Sequence, residues 1–315
     1  MKSHVLAVII PAFNEKGSIV SVISSLPRNI EGVIKTHVVV MDDGSNDGTS
    51  RILPKGVIVV RHIKNRGLGR TFDEGLRYAL RLKADIIVNL DADGQFNSKQ
   101  IKRIISPIIN NEADVVIGSR FISKNSYKTS FVKKHGNKLL ALLVSITTSQ
   151  KFFDVTCGFR AYSKEAALNL NIYDKFSYTL ESLIDLAHKD FKIEEVAVDV
   201  TERKHGDSKI VSSVLFYAIK SIAILIRNLR DHKPFHFFVL PGIVALVISL
   251  AGFDFLLIRF IRLSVLSPYR SILTLSISLL AASLFLFGLG LLFDYLNKIK
   301  KNEEDILYYL KKNEK

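Results

Sequence analysis

Along the first 120 residues, short apolar runs alternate with polar, glycine-rich clusters. Val5–Ile10 is a continuous apolar run closed by Pro11. His37–Met41 runs into Asp42-Asp43-Gly44-Ser45-Asn46-Asp47-Gly48-Thr49, and Val57–Arg61 is followed by Asn65-Arg66-Gly67-Leu68-Gly69. Ala84–Leu90 runs straight into Asp91-Ala92-Asp93-Gly94-Gln95. Runs this short, bounded by turn residues, read as buried strands. Between them, Gly17–Leu26 and Thr71–Lys83 carry apolar residues at helical spacing, the second through Phe72, Leu76, Ala79 and Leu80. A further helix is predicted from about Ser98, as its N-cap, and a further strand at Val115–Ile117. Strands alternating with helices predict an α/β domain with a parallel-rich sheet.

After residue 208 the pattern changes. From Lys209 to Arg230 apolar residues (Val214, Leu215, Ala218, Ile222, Leu225, Ile226, Leu229) are interrupted by Lys209, Lys220, Arg227 and Arg230. Such a basic, amphipathic segment suits an anionic membrane surface; a helix packed on the domain is the plainer alternative. Phe235–Ile258 and Ile272–Phe293 follow, 24 and 22 residues long. As helices they span about 36 and 33 Å, enough to cross a hydrocarbon core of about 30 Å. The short Arg259–Ser271 connection predicts a hairpin with both flanks on the side of the N-terminal domain. Asp254 is costly within the first span unless it faces a partner; an arginine such as Arg259 and an oligomer contact are both open. The expected organisation is a domain over residues 1–208, a membrane-surface segment over 209–233, two transmembrane helices within 234–297 and a charged helical tail over 298–315.

Composition sharpens this outline. In 315 residues the hydrophobic fraction is 48% and the mean hydropathy +0.22, high for a purely soluble enzyme. One cysteine, Cys157, excludes an internal disulfide framework and a cysteine-rich zinc site. The net charge of +14 permits phosphorylated substrates, anionic lipid or nucleic acid as partners. The first apolar run is too short for a secretory signal, so the N-terminal domain is expected in the cytosol of a multi-pass protein of the cell membrane.

The candidate chemistry lies at the strand ends. A parallel sheet brings those ends to one edge, where Glu15, Asp42, Asp43, Asp91 and Asp93 would gather. Five carboxylates there would repel one another without a cation. Asp91, Asp93 and an amide oxygen suit a hard ion, Mg²⁺ or Mn²⁺, shared with a substrate's phosphates. An acidic surface turn is the bland alternative.

Three motifs, Pro11-Ala12-Phe13-Asn14-Glu15, Val40–Thr49 and Asp91–Gln95, resemble family 2 glycosyltransferases of the GT-A fold, a Rossmann-like arrangement. Gly118-Ser119-Arg120-Phe121, Asp154-Val155-Thr156-Cys157-Gly158-Phe159-Arg160 and Arg203-Lys204-His205-Gly206-Asp207-Ser208-Lys209 resemble the polyprenyl-phosphate hexosyltransferase branch, which includes dolichol-phosphate mannose synthase. The resemblance covers roughly residues 5–233 and implies inverting transfer of mannose or glucose from a nucleotide sugar of the GDP-mannose or UDP-glucose type to a polyprenyl or dolichyl phosphate. It implies that Pro11, Phe13, Glu15, Asp42, Asp43 and Asp91 bind the nucleotide sugar, and that Asp91, Asp93 and Gln95 hold the metal. Arg120 and Arg203 would clamp the lipid phosphate, joined by Lys133, Lys134, Ser208 and Lys209, with Asp93, Arg120 and Arg203 as catalytic residues. Asn65-Arg66-Gly67 could offer backbone N–H groups and a cation to the diphosphate, or be a plain turn. Arg160 is expected to brace the Gly158-Phe159 turn, with phosphate contact as the alternative.

Rival readings are a processive polysaccharide synthase, a transferase acting on a glycan or protein, and a non-catalytic basic scaffold or nucleic-acid binder. The first relies on a tryptophan-containing acceptor motif, and the chain has no tryptophan. The Arg203–Lys209 motif argues against the second. The acidic rim argues against the last, and no nucleic-acid partner is expected. The transmembrane helices are candidates for a homo-oligomer contact.

Overall fold

The computed structural model describes residues 3–122, 131–175, 177–201, 214–263 and 269–314. It divides into two compact units: Met1–Leu225 together with Ile306–Lys315, and Ile226–Asp305.

In the first unit one sheet contains β1 (His4–Ala12), β2 (Val33–Asp42), β3 (Ile58–Arg61), β4 (Ile86–Asn89), β5 (Val115–Ser119), β6 (Arg160–Ser163) and β7 (Ile193–Ala197). Their order is β3-β2-β1-β4-β6-β5-β7. Every pair is parallel except those made by β6, which runs against β4 and β5. Central strands are covered on both faces, which is why β4 and β5 are apolar without alternation and buried throughout. Edge strand β3 alternates instead between half-buried and exposed positions.

The faces of β1 divide the core. Leu6, Val8 and Ile10 pack in a cluster with Ile19 and Val22 of α1 (Ile19–Ser24) and Ile104 and Ile105 of α3 (Ile101–Ile109). Ala7 and Ile9 pack in another with Phe72, Leu76 and Ala79 of α2 (Leu68–Arg81), the apolar face that its spacing predicts. Gly75 lets α2 approach closely, since a Cβ there would stand 2.6 Å from Ile9 Cγ2. The same unit contains α4 (Phe131–Thr148), α5 (Lys164–Asn169), α6 (Thr179–His188) and the first turns of α7 (Val214–His232).

Two local expectations are corrected. β1 does not close at Pro11: its ladder with β4 stops at Ile9, and the strand continues on β2 alone to Ala12. Past Ile9 a residue without an N–H costs no bond on the β4 side. Ser98 is not the helix cap either. Asn97 caps a 3₁₀ turn leading into α3, its side chain accepting from Lys99 N at 3.1 Å, while buried Ser98 donates to Val22 O.

The second unit holds α8 (Pro234–Leu263) and most of α9 (Arg270–Asn313), two helices long and apolar enough to cross a membrane. They pack antiparallel: Ser249 Oγ donates to Ser276 O at 2.7 Å, Gly242 lies against Phe287, and Phe238 stacks on Phe293. Small residues at such contacts let helix backbones approach. Asp254 is exposed on α8 and makes no ion pair among the described residues; Arg259 lies over the rings of Phe255 and Tyr269.

Candidate active site

Because β1, β2, β4 and β5 are parallel, their carboxyl ends form one rim, and antiparallel β6 starts from that rim with Arg160 opposite Asn89. The loops after β1 and β2 are zipped together. Asn14 N donates to Ser45 Oγ, Asn46 N to Asn14 Oδ1, Glu15 N to Thr49 Oγ1 and Lys16 N to Asp47 Oδ2, all at 2.8–3.0 Å. Asn14 takes φ of +55° and Gly44 +77° to make this possible. Pro11 is buried beneath the zipper and Phe13 is half-buried at its edge.

The five acids do not form an uncompensated cluster. Asp42 is fully buried; Oδ1 accepts from Ser45 N at 2.9 Å, and Oδ2 lies 3.4 Å from Arg61 Nε. It shapes the turn. Asp43 faces His62 Nδ1 at 2.7 Å and accepts from Arg66 N at 2.8 Å and Gly67 N at 3.0 Å. Those two N–H groups are therefore engaged by Asp43, which favours the plain-turn alternative over an offer to a diphosphate. Glu15 accepts from Ser18 Oγ at 3.0 Å. Protein donors thus reach Glu15, Asp42 and Asp43, where the sequence alone suggested a cation for all five.

The remaining two lie at the end of β4. Asp91 and Asp93 are half-buried; Asp93 Oδ1 accepts from Gln95 N at 3.0 Å, a turn that Gly94 completes at φ +74°. Gly158 packs on Asp91, where a Cβ would stand 2.7 Å from Oδ2. Asn89 Nδ2 donates to Gly158 O and to Tyr178 Oη, whose own proton also goes to Gly158 O at 3.0 Å. Burial, then the charge of Asp91, pushes the pKa of Tyr178 well above the ordinary tyrosine value, so it stays a donor. Beyond β7, Thr201 N donates to Gln95 O at 2.9 Å, and Phe96 bridges to Val200. Asp91, Asp93 and Gln95 offer hard oxygen donors of the kind Mg²⁺ or Mn²⁺ takes. Among the described residues no three of His, Cys, Asp and Glu are grouped to hold a metal by themselves.

Arg120 leaves β5 into a second network. Its Nε and Nη2 grip the carboxylate of buried Asp154 at 2.7 and 2.8 Å, and Nη2 also reaches Thr156 Oγ1 at 2.7 Å. Thr156 donates to Asn137 Oδ1 on α4, and Glu195 of β7 accepts from the Phe153 and Asp154 N–H groups. Burial raises the pKa of Glu195 against these bonds, which lower it. The guanidinium is thereby fixed with 19% of its side chain exposed. Arg160 is 1% exposed and donates to the carbonyls of Cys157, Val155 and Thr179 and to Ser182 Oγ, so it braces the turn and has no surface for a phosphate. Cys157 is buried, which pushes its thiol up to about 12 and leaves it unreactive. Lys134 is exposed on α4. Arg203, Ser208 and Lys209 lie outside the described residues, as does the side chain of Lys133.

The sequence reading passed over α4. Leu139, Leu142, Leu143 and Ile146 form an exposed stripe at i, i+3, i+4, i+7 spacing, the signal that could have found it. Phe153 is also exposed, with Lys151 over its ring. Residues 131–153 contain Lys133, Lys134, Lys138 and Lys151 and no acid. In α7 Ile224 and Leu225 are buried, while Ile219, Ile222 and Ile226 are exposed, so this helix both packs and presents an apolar stripe.

Residues 7–170 match the model for glycosyl transferase family 2. The chain is 28% identical over 245 residues to UDP-N-acetylglucosamine–dolichyl-phosphate N-acetylglucosaminyltransferase of Methanococcus voltae, covering 70% of this chain and 96% of that one. It is 28% identical over 235 residues to polyprenol monophosphomannose synthase of Mycolicibacterium smegmatis, covering 69% and 84%. Glucosyl-3-phosphoglycerate synthase from Mycobacterium tuberculosis, solved with Mn²⁺, UDP and glucosyl-3-phosphoglycerate, shares the fold with a TM-score of 0.57 at 22% identity, over 71% of this chain and 80% of that one. With the GT-A sheet order, the zipped loops and the Asp91–Gln95 turn, these matches show that the chain belongs to glycosyl transferase family 2, in the branch whose named relatives are polyprenyl-phosphate sugar transferases.

Proposed function

We propose that this chain transfers a hexose, mannose or glucose, from a nucleoside-diphosphate donor to a polyprenyl phosphate, with inversion at the anomeric carbon. The observation that carries the reading is the contact of Gly158 with the Asp91 carboxylate. It sets the turn that anchors Arg120 directly against the acidic turn at the end of β4. A site for a donor diphosphate and a cation for an acceptor phosphate then share one rim. The named relatives act at dolichyl or polyprenyl phosphates, which supports a lipid phosphate as the acceptor.

Asp91, Asp93 and Gln95 suit a divalent ion by their hard oxygen donors, and the missing Cβ of Gly158 is what lets the Asp91 carboxylate stand where it does. Bound there together with the donor's diphosphate, Mg²⁺ or Mn²⁺ would neutralise charge on the leaving nucleoside diphosphate. Half-buried Phe13 after β1 offers a ring for the base, and Asp43 an acceptor for a base N–H or a ribose hydroxyl. Arg120, locked by Asp154, presents a planar cation to the acceptor phosphate. Arg203, Ser208, Lys209, Lys133 and Lys134 complete the acceptor side of this reading. A phosphate monoester is already anionic at neutral pH, so it attacks the anomeric carbon without a protein base. Positioning and charge stabilisation then supply the catalysis.

The exposed stripe of α4 and its lysines support a domain resting on an anionic lipid surface, with α8 and α9 as spans. Nucleotide sugars are cytosolic, which supports the cytosolic orientation. The test is organic extraction after incubating the full chain with polyprenyl phosphate, Mg²⁺ or Mn²⁺, and radiolabelled nucleotide sugars one at a time. Label is expected in the organic phase with one donor and is expected to fall at least a hundredfold in Asp93→Asn, roughly the size of lost transition-state charge stabilisation. An Asp93→Asn protein with unchanged rate and metal requirement would remove the assignment.

A further inference from the structure

His62 lies directly after β3, outside every motif used above. Its side chain is 6% exposed, and both ring nitrogens face carboxylates: Nδ1 is 2.7 Å from Asp43 Oδ1, and Nε2 is 2.7 Å from Glu74 Oε2 on α2. The ring is thus gripped between two carboxylates, one at each nitrogen. Its own backbone N–H is fixed to Asp42 O at 2.8 Å. On the far side, Glu74 Oε1 is held by Arg66 Nη1 at 2.7 Å and Arg70 Nε at 3.0 Å. Burial raises the pKa of Glu74, but hydrogen bonds from His62 and Arg70, with the charges of His62 and Arg66, leave it below the ordinary value.

A carboxylate offers about four acceptor positions. Asp43 fills three with His62 Nδ1, Arg66 N and Gly67 N, which leaves one on Oδ2. The imidazole fixes the orientation of Asp43 about its Cα–Cβ bond and so decides where that last position points. The same contact ties the Arg66–Gly67 turn to the end of β2. Gly67 and Gly69 are held in turn, since a Cβ at either would overlap the backbone carbonyl of Lys175 or Asp174.

We propose that His62 is a positioning residue for the donor nucleotide, acting through Asp43, with Glu74 as the brace that holds the ring. This rests on the donor reading of the rim. The remaining acceptor position on Asp43 fits a single N–H or O–H of a nucleoside. His62 itself contacts no substrate, so its loss weakens nucleotide binding and leaves the acceptor side alone.

The experiment is titration of UDP and of GDP, with Mg²⁺, into the full chain in detergent, for wild type, His62→Phe, His62→Gln and Glu74→Gln, with melting temperatures alongside. His62→Phe keeps a ring but loses both bonds, and its nucleotide Kd is expected to rise roughly ten- to a hundredfold, the worth of a charge-assisted bond. His62→Gln retains one donor group and should recover part of that loss. Glu74→Gln, at a partly exposed position, serves where His62→Phe fails to fold; it should weaken binding in the same direction by a few-fold. In transfer assays the donor KM should rise while the polyprenyl-phosphate KM stays within twofold. A folded His62→Phe or Glu74→Gln with wild-type Kd, or equal rises in both KM values, overturns the inference alone. Wild type that binds neither nucleotide overturns the donor reading, and this inference with it.

Discussion

At the scale of single residues, the site depends on atoms that are missing as much as on those present. Gly158 is the clearest case, because any side chain there would enter the space of the Asp91 carboxylate. Gly158→Ala is expected to displace that carboxylate with little effect on the fold. A displacement of about 1 Å costs on the order of a hundredfold in rate. Transfer should fall by that much, the Mg²⁺ or Mn²⁺ needed for half-activation should rise, and the melting temperature should stay within a few degrees. A variant with wild-type activity and metal requirement would mean that Asp91 does not work at this position. Arg120 and Arg160 mark the opposite use of one side-chain type. One is fixed but partly exposed, the other buried among carbonyls. Their separation by forty positions of sequence conceals that a single turn, 154–160, engages both.

At the scale of elements, α4 and the end of α9 each carry a consequence. The α4 stripe is exposed, basic at its flanks and free of acid. Leu142→Asp with Ile146→Asp is expected to raise the KM for polyprenyl phosphate in nanodiscs at least tenfold, since each buried side chain of this size is worth about 1.5–3 kcal/mol. Nucleotide affinity should be unchanged. A bimane label at position 142 should be quenched by spin-labelled lipid; an unquenched label with an unchanged KM would place the stripe away from lipid. In the tail, Lys311 is 5% exposed, and its Nζ donates to Leu170 O at 2.6 Å, Asn171 Oδ1 at 2.9 Å and Leu168 O at 3.3 Å. Burial, then Arg77, lowers its pKa to about 8, with Lys189 adding to the fall and Asp73 and Asp185 opposing it. Above pH 8 the folded chain sheds a proton that the unfolded chain keeps until about 10.5. Stability therefore rises with pH across that window, by on the order of 3 kcal/mol at most. The melting temperature of wild type relative to Lys311→Met should increase from pH 7.5 to pH 10; a flat or falling difference contradicts the buried position.

Much of this was legible in the sequence, and the rest was hidden for physical reasons. The first five strands, the α2 face and the Asp91–Gln95 turn announce themselves through periodicity and local turn chemistry, whereas the sequence reading passed over β6 and β7. The compensation of Asp42 and Asp43 does not, because Arg61 and His62 reach them only once β3 pairs with β2. Likewise the Asn65–Gly67 turn reads as an anion cradle or a plain turn alike until Asp43 is seen to occupy its N–H groups. The stripe of α4 was legible but lies between two motifs that drew attention to themselves.

At the scale of the whole molecule, two helices able to cross a membrane are joined to a GT-A unit, and the last ten residues belong to that unit again. Lys311 and the Arg81–Glu314 ion pair at 2.6 Å anchor this return. The charged tail is thus part of the catalytic unit's packing, which its composition alone did not reveal. For an enzyme of this family the decisive question is which phase the product enters. The measurement that tests the account most directly supplies the full chain in nanodiscs with labelled nucleotide sugar and two competing acceptors at equal concentration. One is a polyprenyl phosphate in the bilayer, the other a water-soluble phosphate monoester such as 3-phosphoglycerate. The account predicts label in the lipid fraction alone, in an acid-labile linkage of inverted anomeric configuration. Label confined to the soluble acceptor would contradict it, and would make the basic, apolar surface an anchor with no part in choosing the substrate.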